Sequence, residues 1–381
     1  MTSPQLFVAS GIFHPESGGP ATYLHELLPI LQRDKGWDIR LLTYGAGDPS
    51  AYAHHVQYIP RRAYPIRMAH YALSAYRYLQ TADLVYAHTI DLPVYGRRVP
   101  RVIKIVGDQA WERCIRKQWI PPETDVDTFQ KMRYSPLVER QKQSRSRQVR
   151  AFDGVIVPAQ YLKRMVMGWG VPDENIHVIY NALPDNTEYD ASLPHDELRA
   201  QWGWSHTPIL LTAARLNPWK GIDALIAALH DIPDVRLVVA GDGDDLPRLQ
   251  ALAAPLGERV IFLGQVPRAT LYQMMRAADY FALYSGYEGL PHTVLESLRA
   301  GTPVIVSDKG GNPEVVQHKV NGYVVPYRDH AALVATLQQA FARGQREHLA
   351  LHTQDQLSQF AFSTLVEHTD SVLRDYLTTL R

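Results

Sequence analysis

The chain has 381 residues, of which 46% are hydrophobic and 20% charged, with zero formal net charge and one cysteine, Cys114. That length exceeds one ordinary core and fits two α/β domains of roughly 180 residues each, while the composition excludes a disordered chain. A lone cysteine excludes an internal disulfide, and the absence of overall positive charge or a reader motif argues against nucleic acid.

The pattern along the chain is alternation. Apolar runs of strand length occupy residues 5–10, 38–43, 84–87, 102–106 and 154–157, with helical periodicity at 21–32 and 68–80. Strand–helix alternation predicts a parallel sheet with helices on both faces. Residues 181–194 are polar and proline-flanked, the mark of an interdomain linker. The scheme then repeats, with strands at 208–213, 236–240, 260–262, 280–283, 304–306 and 323–325, and a last helix around 363–381. No apolar run approaches the ~20 residues that span a bilayer. Met1 leads directly into a strand pattern without a charged and apolar leader, so a cytoplasmic enzyme is expected.

Two stretches carry chemistry. In Glu288-Gly-Leu-Pro-His-Thr-Val-Leu-Glu296, two carboxylates lie eight residues apart across a loop-to-helix junction. Pro291 suits the first helical position, Gly301 ends the helix, and the free N–H groups near His292 and Thr293 suit a phosphate. In Arg215-Leu-Asn-Pro-Trp-Lys-Gly221, two cations sit on a strand-to-helix loop, where they can neutralise a diphosphate without a metal. Each stretch alone also reads as solvated surface. Together, in this order, they point to a nucleotide sugar.

These stretches resemble the retaining glycosyltransferases of family 4. So do the Gly-rich loop through Ser17-Gly-Gly19, Val178-Ile-Tyr-Asn181, Ala240-Gly-Asp-Gly243, Phe262-Leu-Gly264 and Gly310-Gly-Asn-Pro-Glu314. The resemblance implies the GT-B architecture: two Rossmann-like α/β domains facing a cleft, with the C-terminal helix returning to the first domain. Residues 1–183 with 364–381 would form the acceptor-side domain, and residues 184–363 the nucleotide-sugar domain. It implies that Arg215 and Lys220 hold the donor diphosphate, Glu296 the ribose and Glu288 the transferred sugar. Gly18 and Gly19 would close on the phosphates from the opposite domain. Gly243, Val266, Gly289, Leu290, His292 and Thr293 complete the donor side, with base contacts made by backbone near Val266.

One position departs from the family pattern. Many members have a histidine after the strand that here reads Arg101-Val-Ile-Lys-Ile-Val-Gly107, and Asp108 follows it instead, with Trp111 close behind. His88, at the end of a neighbouring strand, could supply an imidazole, so Asp108, His88 and Trp111 are the acceptor-side candidates.

Other motifs carry less. Asp242-Gly-Asp244 has metal-ligand spacing but opens a helix, so turn and capping chemistry explains it better. The glycines of 11–19 lack the dinucleotide spacing, and His348 with His352 lacks the glutamate or cysteine of a zinc site. No metal or other cofactor is expected. Residues 1–180 carry 23 Lys and Arg against 16 Asp and Glu, an excess of seven positive charges. It clusters at Arg61-Arg62, Arg97-Arg98, Arg113 to Lys117 and Lys142 to Arg150. Such a face suits weak peripheral contact with the inner membrane surface or a lipid-linked acceptor; the alternative is a solvated helix.

The expected activity is metal-independent, retaining transfer of a hexose from a nucleotide diphosphate sugar to a sugar, glycoside or lipid-linked hydroxyl. Polysaccharide, glycolipid or small-glycoside synthesis would use it. The alternatives are a nucleotide-sugar epimerase on the same architecture and a non-catalytic nucleotide- or glycan-binding protein.

Overall fold

The apolar runs of the first half become β1 (Gln5–Ala9), β2 (Asp38–Tyr44), β3 (His55–Ile59), β4 (Leu84–Ala87), β5 (Arg101–Lys104), β6 (Gly154–Val157) and β7 (Ile176–Val178). They form one parallel sheet in the order β3-β2-β1-β4-β5-β6-β7. The second half supplies β8 (Ile209–Ala213), β9 (Arg236–Ala240), β10 (Val260–Gly264), β11 (Tyr280–Leu283), β12 (Val304–Ser307) and β13 (Gly322–Val325), ordered β10-β9-β8-β11-β12-β13. This computed structural model describes residues 3–16, 18–94, 99–183 and 193–379. Arg97, Arg98, Ser17 and residues 184–192 of the expected linker lie outside the described residues.

Every residue of β4, β6, β8, β11 and β12 is buried, because helices cover both faces of a parallel sheet. That is why these strands read as unbroken apolar runs rather than as alternation. Each fully buried Val, Leu, Ile or Phe stabilises the fold by roughly 1.5–3 kcal/mol. β3 and β7 escaped the sequence reading for physical reasons. β3 is an edge strand with only Val56 and Ile59 buried, and β7 is three residues long with one buried.

The chain divides into one unit of residues 1–112, 133–180 and 362–381 and a second of 113–132 and 181–361. The expected division, residues 1–183 with 364–381 against 184–363, differs from this mainly in one segment. Residues 113–132 belong with the second unit, a change no local signal announces because that stretch reads as ordinary helix and loop.

The C-terminal helix Phe362–Thr379 packs on the first unit. The Trp37 indole N–H donates to Asp370 at 2.6 Å, Arg374 donates to the Lys35 carbonyl, and Lys35 pairs with Glu367. Helix starts also follow the sequence. Helices Gly19–Arg33 and Tyr64–Leu79 each carry proline in the first turn, where its missing N–H costs nothing.

Strand order reverses at two places, between β1 and β4 in the first sheet and between β8 and β11 in the second. At such a switch point the loops leaving neighbouring strands diverge and open a crevice at the strands' carboxyl ends.

Candidate functional site

The two chemically marked stretches leave the two strands that flank the second switch point. Arg215 to Gly221 follows β8, and Ser285 to Pro291 follows β11. Backbone contacts sew the two loops together: the Gly286 N–H donates to the Trp219 carbonyl at 2.7 Å. Gly221 has φ +65°, and a Cβ there would lie 1.9 Å from the Tyr284 carbonyl oxygen, so only glycine allows this approach. Gly310, also at φ +65°, backs the other side, where a Cβ would meet the Glu288 carbonyl at 2.2 Å and the Gly311 N–H donates to that carbonyl at 3.0 Å.

This stitching brings the charged side chains together. The Lys220 ammonium donates to Glu288 Oε1 at 2.5 Å, and the Ser285 hydroxyl donates to the same oxygen at 2.7 Å. Glu288 Oε2 makes no hydrogen bond with the described residues, so it can still accept from a sugar hydroxyl. Arg215 is exposed and its guanidinium has no side-chain partner among the described residues. Glu296, 7% exposed, is held by Arg268 through a 2.9 Å hydrogen bond from Nε.

Helix His292–Arg299 begins beside this group. Pro291 takes its cap position rather than the first helical one expected, because its ψ of 108° is extended; no side chain caps the helix. His292 and Thr293 are its first two residues and are half-buried. The positive end of the helix dipole favours an anion. The Asn181 amide donates to the Leu290 carbonyl at 3.4 Å, and Gly289 packs under Gly311.

Gly243 supports the Arg215 loop from below, since a Cβ there would lie 2.4 Å from the Leu216 carbonyl. Its neighbours behave as turn chemistry: Asp242 Oδ1 accepts from the Gly243 N–H at 2.7 Å, and Asp245 pairs with Arg248. Among the described residues no group of three His, Cys, Asp or Glu side chains is placed to hold a metal. Val266 lies half-buried in the loop after β10.

The first switch point carries a cavity of about 410 Å³, walled by Gly11 and Ile12 after β1, His88 and Thr89 after β4, and Lys104 to Gly107 at the end of β5. Gly11 donates to the Thr89 hydroxyl at 3.0 Å, which ties the two loops together. His88 is 7% exposed, its Nε2 has no hydrogen-bond partner among the described residues, and burial, then the Lys104 charge, holds its pKa well below 6.5. Gly18 and Gly19 open helix Gly19–Arg33, and a side chain at Gly19 would meet nothing within 4 Å.

Asp108 and Trp111 are not on this wall. Asp108 is fully buried: one carboxylate oxygen accepts from the Ala110 and Trp111 N–H groups and the other from Arg145. It starts helix Gln109–Arg116 and anchors Arg145, whose guanidinium also stacks 4.0 Å from the Trp169 ring centroid. Trp111 is 1% exposed and belongs to the core. Their candidacy for direct contact with an acceptor therefore passes to the residues that do line the cavity.

Sequence reasoning overlooked Arg268, Lys104 and Arg145. For Lys104 a signal existed: a lysine inside the apolar run Val-Ile-Lys-Ile-Val, where alternation gives no reason for a charge. Arg145 was read as surface because its helix carries several cations, yet it is 5% exposed.

Residues 17–186 match the family described as Glycosyltransferase Family 4, and residues 194–353 that described as Glycosyl transferases group 1. The chain belongs to the family 4 glycosyltransferases. Its fold is that of sucrose-phosphate synthase from Thermosynechococcus elongatus, at 20% identity, a TM-score of 0.78 and 99% and 100% coverage of the two chains. It is also that of HepE from Anabaena bound to UDP-glucose, at 21% identity, 0.76, and 97% and 99% coverage. An uncharacterized glycosyltransferase of Methanocaldococcus jannaschii is 36% identical over 178 residues, which is 44% of this chain and 45% of that one. A GDP-mannose-dependent phosphatidylinositol monomannoside mannosyltransferase of Mycolicibacterium smegmatis is 32% identical over 181 residues, 43% and 47% of the two chains. The match spans about half the length of these curated relatives.

Proposed function

We propose that this glycosyltransferase moves a sugar from a nucleotide diphosphate sugar to a hydroxyl acceptor, with retention at the anomeric carbon and without a metal. The observation that carries it is the second-domain switch point, where Lys220, Glu288, exposed Arg215 and an uncapped helix end meet. A same-fold protein held with UDP-glucose supports the donor class.

The chemistry needs little more than charge. When the bond from the anomeric carbon to the diphosphate oxygen breaks, negative charge grows on that oxygen. Arg215, Lys220 and the N–H groups of His292 and Thr293 are placed to stabilise it. The acceptor oxygen bonds to the same face of the carbon, and its proton passes to the departing diphosphate, so no strong protein base is required. Lys220 exchanges Glu288 for phosphate on donor binding, which frees the Glu288 carboxylate for the sugar hydroxyls. Glu296, fixed by Arg268, takes the ribose hydroxyls. The first-domain cavity takes the acceptor.

Release of nucleoside diphosphate that depends on acceptor, with product stereochemistry read by NMR, tests the reading. Interconversion of donor sugars without acceptor would make the protein an epimerase, and tight nucleotide binding with no turnover a binding protein.

Among the described residues no helix is long and apolar enough to cross a membrane. Peripheral contact through the first domain stays within the proposal with a narrower basis. Arg145 is buried on Asp108 and Lys142 is paired with Glu139, which leaves Arg140 and Arg147 exposed on that helix and Arg150 exposed at its cap.

A further inference from the structure

Lys104 ends β5 at the first switch point, 3% exposed, and its ammonium has no hydrogen-bond partner and no ion-pair partner among the described residues. It lies over the face of Tyr23, whose ring centroid is 3.7 Å from Nζ. A buried ammonium keeps such a position only at a cost, because a group with three donors has lost water and gained one ring. Burial alone pushes its pKa down to about 7.

The surroundings favour an anion over a structural role. Arg145, on helix Pro136–Val149, is held by Asp108, and Glu112, on helix Gln109–Arg116, forms part of the cavity wall. Tyr23 and Tyr86 are hydroxyl-bonded to each other at 3.1 Å. His88, from the end of β4, lines the same cavity, and its Nε2 has no hydrogen-bond partner among the described residues. Two residues with unsatisfied nitrogen groups thus line one cavity of about 410 Å³, one of them an ammonium without a counterion among the described residues.

We infer that this cavity binds a hydroxylated molecule carrying a phosphate or carboxylate, with the Lys104 ammonium as its counterion and His88 available to its hydroxyls. This rests on the transferase reading only in naming that molecule the acceptor; anion binding stands on the cavity itself. An anion against Nζ restores the missing partner and holds the ammonium charged, so binding near pH 8 takes up a proton. The same anion can be a free sugar phosphate or the headgroup of an anionic lipid.

Calorimetry of the full chain with inorganic phosphate near pH 8, in two buffers of different ionisation enthalpy, reads both binding and proton uptake. Phosphate can also settle on the diphosphate loop, so Lys220→Ala is measured beside the wild type. Binding with uptake of close to one proton is expected in the wild type and in Lys220→Ala. Lys104→Met should lose both, weakening phosphate by about 10–100-fold, as expected for a charged hydrogen bond, while binding nucleoside diphosphate as the wild type does. Phosphate binding unchanged in Lys104→Met, or no binding in Lys220→Ala, overturns the inference. So does loss of nucleoside diphosphate binding in Lys104→Met, which would place the lysine with the donor. Displacement of phosphate by a hexose phosphate supports a soluble ligand, and displacement by anionic glycolipid vesicles a lipid-borne one; displacement by neither overturns it. Failure of any of these leaves acceptor-dependent release of nucleoside diphosphate to be judged separately.

Discussion

The two switch points treat charge in opposite ways. In the second domain each buried or half-buried ion of the site already has a partner, Lys220 with Glu288 and Glu296 with Arg268. In the first, Lys104 stands in a cavity with none. A paired site loses little stability while empty and exchanges one ionic contact for another when a ligand arrives. An unpaired site carries a desolvation penalty until its ligand comes. One domain keeps its charges paired; the other keeps an unmet demand.

The largest expected effect is on the unpaired side. Replacing Lys104 by Met should stabilise the empty protein by about 3–5 kcal/mol at neutral pH, from the lowered pKa of the buried ammonium. The sign follows from proton counting. Between about 7 and the ordinary 10.5 the unfolded chain holds a proton that the folded one has lost, so wild-type stability rises with pH across that window. Denaturant titrations at several pH values should show the gap full at pH 7 and closing toward pH 10; a constant gap would mean that packing, not charge, is responsible.

Next come the two cations of the second switch point. Arg215→Ala and Lys220→Ala should each lower turnover by ~10²–10³, or ~3–4 kcal/mol, because their contact with the leaving diphosphate strengthens in the transition state. Near-normal turnover of both at saturating donor would dissolve the contrast between the domains.

The carboxylates sharpen it further. Glu296→Ala should weaken bare nucleoside diphosphate by about 10-fold, while Glu288→Ala should leave that binding nearly unchanged and slow transfer. Removing Glu288 also frees Lys220, so a modest gain in diphosphate affinity is expected from it. Calorimetry giving the reverse order would exchange the two roles.

Smaller effects belong to the surface. Neutralising exposed Arg147 and Arg150 should reduce sedimentation with anionic vesicles at low salt by about 1 kcal/mol per charge and leave nucleotide binding alone. No sedimentation at any salt would make that helix solvated surface. Thorough chelation should change nothing; activity restored by Mg²⁺ after EDTA would turn Asp242 and Asp244 into ligands.

Local sequence was enough for whatever depends on neighbours along the chain. Buried parallel strands appear as apolar runs, and glycines and prolines mark where they stop. Arg215, Lys220, Glu288 and Glu296 lie in two short stretches whose loops are set by their own residues. Gly221 and Gly310 are among these residues, admitting carbonyl groups where a Cβ would collide. Tertiary structure alone decided the partners. Nothing local tells that Arg145 is buried on Asp108, that Arg268 grips Glu296 from another helix, or that residues 113–132 join the second unit. Burial and pairing are sums over residues distant in the chain, and a carboxylate or ammonium looks the same in sequence whether it meets water, a counterion or an empty cavity. Asp108 and Lys104 are four residues apart. Only the packing of the helices around β5 makes one a buried helix cap and leaves the other without a partner.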